Sequence, residues 1–137
     1  MKDATMPRLL SALATVLAFA LPAAAQDAET GAALFYDYCS ACHGADARGE
    51  GPLAELLKIQ PPDLTRLTER AGGTFPTLSV VTRIDGRNPL LAHGGEMPLF
   101  GRHFEGDDTA MKTEAGQPIL TSRPIVDLVT WLESVQG

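Results

Sequence analysis

Cys39 and Cys42 are the only two cysteines among 137 residues, and the run Cys39-Ser40-Ala41-Cys42-His43 places a histidine directly after the second. No other feature constrains the chain as strongly. A structural zinc site needs four ligands, and no second cysteine pair is present to complete one. A thioredoxin-like redox pair belongs in a βαβ setting, which the sequence does not offer. A plain disulfide across so short a loop would add little stability. C-x-x-C-H is instead the signature of covalent haem attachment. The chemistry accounts for the spacing: two sulfurs form thioethers to the two vinyl groups of one haem, and the adjacent imidazole supplies a nitrogen to the iron.

The first segment reads as an export signal. Lys2 and Arg8 make a positive start diluted by Asp3, residues 9–21 are almost wholly apolar, Pro22 breaks the run, and Ala23-Ala24-Ala25 provides small residues for cleavage. The apolar run is shorter than the roughly 20 residues a membrane span needs. An uncleaved anchor is the alternative. The expected division is therefore a signal peptide over 1–25 and one domain over 26–137, in the periplasm, with no stable membrane insertion after cleavage. The formal net charge of −6 becomes more negative once the leader is removed. An acidic chain of this kind lacks the basic patch that a nucleic-acid partner requires.

Apolar periodicity predicts an all-α domain of about five short helices. Gly31, Phe35, Tyr38 and Cys42 recur at steps of four and three, which puts them on one face of a helix over 27–42. Pro52 suits the first position of a short helix over 52–59, which Pro61-Pro62 stops. Asp63 can cap a third that Gly72-Gly73 ends. A fourth is expected over 75–85, with Leu78, Val81 and Ile84 on one side and Gly86 closing it. Residues 87–120 show no sustained period and read as a long functional loop. The last helix starts near Ser122, takes Pro124 in its first turn and runs to about Gln136. Ile125, Leu128, Leu132 and Val135 form its stripe, with Trp131 beside it. No strand-like alternation, repeat or second domain is read.

Haem iron needs a sixth ligand or an open position. Met1 and Met6 leave with the leader, so Met97 and Met111 remain. Met97 lies in Gly94-Gly95-Glu96-Met97-Pro98-Leu99-Phe100-Gly101, an apolar-centred stretch between glycines, whereas Met111 lies among Asp107, Asp108, Lys112 and Glu114 and reads as solvated. Met97 is the expected axial ligand. The alternatives are that it fills a gap in the core, or that His93 or His103 supplies a second imidazole.

At these residues the chain resembles a class I monohaem c-type cytochrome of the bacterial, exported kind, over nearly the whole of 26–137. The resemblance rests on Cys39–His43, on Gly31 and Phe35 in the first helix, on Leu128 and Trp131 in the last, and on Met97-Pro98-Leu99-Phe100. It implies helices around one covalently bound haem c, held by Cys39 and Cys42, with His43 and Met97 on the iron. It also implies that the glycine in the first helix meets the aromatic residue of the last. Gly51-Pro52 resembles the family's glycine–proline pair, which implies that the Pro52 carbonyl accepts from the other nitrogen of His43. The implied function is single-electron transfer to redox partner proteins that the sequence does not name, since a lysine ring around the haem edge is not evident. Arg83 and Arg87 read as solvated surface residues, with pairing to haem propionates as the alternative. An electron carrier is expected rather than an enzyme. Two rivals stand beside it: the electron-accepting subunit of a periplasmic oxidoreductase, and a gas-binding haem protein.

Overall fold

The structure is a computed structural model that describes residues 26–86 and 97–137. Helix α1 (Ala28–Tyr38) begins where the Asp27 carboxylate accepts from the N–H groups of Glu29 and Thr30 at 3.0 and 3.1 Å, satisfying donors that a helix start otherwise leaves open. The expected helix over 27–42 is interrupted at Cys39, whose φ of −116° departs from helical geometry. A short helix α2 (Ser40–His43) follows at once. The Cys39 N–H still donates to the Phe35 carbonyl and the His43 N–H to the Cys39 carbonyl, both at 2.9 Å, so the two pieces stay coupled through the break.

The expected helix over 52–59 contracts to one 3-10 turn, Ala54–Leu56. Leu53, Leu56 and Ile59 are all exposed, so the segment buries no apolar stripe, and a helix this short draws its stability from such packing. Asp63 does cap the next element: its carboxylate accepts from the Thr65 N–H at 2.9 Å, opening a 3-10 turn Leu64–Arg66 that leads into α3 (Leu67–Arg70). Helix α4 (Thr77–Asp85) buries Val81 and Ile84 as expected, but Leu78 is 45 % exposed and Thr77 takes the inward place. Helix α5 (Arg123–Ser134) carries Pro124 in its first turn and buries Ile125, Leu128 and Leu132.

The segment read as a structureless loop contains a β-hairpin. Strand β1 (Asp108–Lys112) pairs antiparallel with β2 (Pro118–Ser122), Met111 opposite Ile119 and Thr109 opposite Thr121. Met111, read as solvated, is 5 % exposed and belongs to the core. Its charged neighbours Asp108 and Lys112 point outward. On each strand one residue alone is fully buried, Met111 on one and Thr121 on the other. That is too sparse an alternation to register as a strand.

Helices α1 and α5 cross at Gly31. A Cβ at that position would run into the carbonyl oxygen of Asp127, and would lie 2.6 Å from that carbonyl's carbon and 2.9 Å from Trp131 Cβ. Phe35, one turn on, packs its ring 4.4 Å from that of Trp131. Two polar clasps tie α5 to the rest of the fold, one at the start of α1 and one at the segment leading into α3. The buried Asp127 carboxylate accepts from the Asp27 N–H at 2.8 Å and pairs with Arg123 at 3.0 Å. The Gln136 amide donates to the Leu64 carbonyl at 2.8 Å and accepts from the Thr68 N–H at 3.0 Å. The core of Phe35, Val81, Phe104, Leu128 and their neighbours lies between these helices and the hairpin. Among the described residues no helix is long and apolar enough to cross a membrane.

Candidate functional site

The break at Cys39 sets the site. α1 ends at Cys39, and α2 carries Cys42 and His43 within the next turn. Residues 44–53 then fold back over this turn. The Gly49 N–H donates to the His43 carbonyl at 2.7 Å, Gly51 to Cys42 at 3.1 Å, and Leu53 to Ala41 at 2.9 Å. Three successive carbonyls of the motif are held by one loop. Gly51 makes the approach possible, because a Cβ there would collide with the Ala41 carbonyl and sit 2.6 Å from that of Ser40.

His43 is only 9 % exposed, and its ring lies 6.5 Å from that of Phe35. Its Nδ1 is fully buried, and no hydrogen bond of good geometry closes on it. The backbone of Pro62 is the polar group that acts on the imidazole. Burial pushes the imidazole below its ordinary value, and the Pro62 backbone offsets only part of this, so the ring is neutral and ready to be a ligand. The resemblance assigned this contact to Pro52. Pro52 is exposed, and its neighbour Gly51 lies against the motif.

Cys39 and Cys42 are both half-buried. Burial pushes the Cys39 thiol up to about 11, with a smaller push from Cys42. A thiol held protonated at neutral pH is a poor attacking group for disulfide exchange. Cys39 and Met97 pack against the same core cluster, as do half-buried Leu64, Leu67, Val80 and Phe100. Two thiols and a neutral imidazole within one turn, with a thioether and half-buried apolar side chains against the core that Cys39 borders, suit a haem.

The other candidates fare differently. Met111 shares a cleft of about 300 Å³ with Gln26 and Glu133. Gln26 precedes the 11-residue α1, and Cys39 follows it. His103 is exposed, with its ring 4.7 Å from that of Tyr38. Arg83 is exposed as expected. His93 and Arg87 lie outside the described residues.

The family model for cytochrome c matches residues 28–136, the span from the first residue of α1 to just beyond α5. The chain belongs to the cytochrome c family. This cytochrome c therefore carries covalently attached haem c and is a haem-binding electron-transfer protein. Its helical architecture is that of the family, with the two-stranded hairpin added. No curated protein and no solved structure matches it.

Proposed function

We propose that this cytochrome c is an exported, class I single-electron carrier, matured by cleavage after Ala25, with Cys39 and Cys42 in thioether linkage and His43 and Met97 as axial ligands. The observation that carries the reading is His43. It is buried and neutral, and it is held by the loop over 44–53 immediately beside both thiols. With Nδ1 turned toward the protein, Nε2 is the nitrogen left for iron.

When bound, the haem supplies a ferric/ferrous couple. The chain's own residues do the rest. Phe35, Leu64 and Leu67 exclude water, which raises the potential by disfavouring the extra charge of ferric iron. The clamp of Gly49, Gly51 and Leu53 keeps the motif from shifting between oxidation states, so little reorganises as an electron passes. A neutral thioether opposite the imidazole favours the ferrous form.

Attachment is tested directly. After denaturation and acid–organic extraction, haem should remain with the polypeptide, and Cys39→Ser with Cys42→Ser should release it to the organic phase. Haem extracted from the parent protein, with two titratable thiols left behind, would sink the reading.

The partner surface follows from charge. Asp37, Glu50 and Glu55 are exposed around the attachment turn, in a chain that is acidic overall. We expect a basic partner, whose association weakens as salt rises, steeply across the range in which the screening length falls from about 30 to about 10 Å. A bimolecular electron-transfer rate that climbs steadily with ionic strength would contradict this.

A further inference from the structure

We infer that an aromatic clasp of Tyr38, Phe104 and Phe100, with His103 laid on its outer edge, sets how firmly Met97 stays at the iron. This rests on the ligation proposed above, and it assigns a positioning role to residues that do not touch the iron.

Tyr38 is the last residue of α1, directly before Cys39. Its ring meets Phe104 edge-on at 5.2 Å, with an interplanar angle of 89°, and His103 at 4.7 Å. Phe104 in turn stacks on Phe100 at 5.4 Å, and Phe100 stands three residues after Met97. A continuous chain of rings thus runs from the residue beside one haem-attaching cysteine to the segment bearing the methionine. The segment has a second anchor on the other side. The Phe100 N–H donates to the Ile84 carbonyl at 2.8 Å, and the Leu99 side chain lies over Gly86. Residues 99–104 are therefore held between the ends of α1 and α4, and Met97 hangs from the near edge of that brace.

Edge-to-face and offset-stacked rings attract beyond the area they bury, because the positive edge of one faces the negative face of the next. Tyr38 and His103 are both exposed, so neither is required to fill the core. Phe104 is buried and serves both core and clasp. Tyr38 is the position where the clasp can be cut without opening a cavity.

The test uses ferric holoprotein and imidazole as the entering ligand, whose binding rate reports how often the sixth position opens. Tyr38→Leu should raise that rate about tenfold, the factor that two lost ring contacts carry, and His103→Ala by less. Tyr38→Phe keeps the ring and should restore the parent rate. Unfolding breaks the same contacts, so the urea midpoint should fall in Tyr38→Leu by no more than the tenfold rate corresponds to, and stay at that of the parent in Tyr38→Phe. Tyr36→Leu, on an exposed ring outside the clasp, should not change the imidazole rate. An unchanged imidazole rate in Tyr38→Leu overturns the inference, as does an equal rise in Tyr36→Leu. Met97→Ala separates the two layers. If it gives fast binding and Tyr38→Leu does not, the clasp fails and the ligation stands. If Met97→Ala leaves the rate unchanged while Tyr38→Leu raises it, the ligation reading fails and the clasp governs a different ligand.

Discussion

Met97→Ala will abolish the weak sulfur-to-iron charge-transfer band of the ferric protein, open the ferrous iron to carbon monoxide, and leave haem attached through Cys39 and Cys42. The potential should fall on the order of 100 mV, a modest part of the roughly 0.8 V that axial ligands span, because the lost thioether favours ferrous iron. Met97 is half-buried and packs against the core that Cys39 also borders. The rival methionine, Met111, is buried in β1 and lines a cleft with Gln26, which precedes α1. Met111→Ala should therefore destabilise the fold, by about 2–5 kcal/mol for a buried methionine, while the charge-transfer band persists at low temperature and neutral pH. Loss of the band in Met111→Ala, or its survival in Met97→Ala, would refute the assignment.

Gly31→Ala will destabilise the holoprotein by about 3 kcal/mol or more, read as a lowered urea midpoint at unchanged slope. The sign is the informative part. In an exposed helix the same change is stabilising by about 1 kcal/mol, because alanine loses less backbone entropy. Here the added methyl meets the carbonyl of Asp127 and the Cβ of Trp131, both on the backbone or one bond from it. No rotamer change relieves that contact, so α1 and α5 must separate. Separation also pulls on the bond from the Asp27 N–H to the Asp127 carboxylate and on the Phe35–Trp131 contact. The expected secondary effect is a looser His43, since Phe35 lies between that crossing and the histidine ring. A variant as stable as the parent, or more so, would mean that the helices do not meet there in solution.

Elements whose signals are local are legible from the residues alone. C-x-x-C-H marks the haem chemistry within five residues. Asp27, though not read as a cap, and Asp63 lie before helical starts, and Pro124 fits a first turn, because capping and proline geometry act over one turn of chain. The stripe of Ile125, Leu128 and Leu132 is legible because a face buried over three turns repeats often enough to be seen. Gly31 against Trp131 was legible through family likeness, and the steric reason appears only when both helices are in place.

What the tertiary structure decided depends on partners distant in sequence. Met111 is inside because β1 folds its one buried side chain onto the core, while its sequence neighbours Asp108 and Lys112 stay in water. Composition averaged over a window cannot report a single inward residue. Leu78 and Thr77 exchange their expected places for the same reason: α4 is nine residues long, and a small rotation decides which of two adjacent side chains faces in. The helix expected over 52–59 contracts to the turn Ala54–Leu56, where Ala54 alone is buried and the Leu53 N–H is taken by the Ala41 carbonyl. The loop over 44–53 returns across the attachment turn, with Gly51 as its wedge and its N–H groups on the carbonyls of Ala41, Cys42 and His43. A carbonyl carries no sequence signature, since every residue has one. Only the path of the chain selects which of them the loop's N–H groups reach.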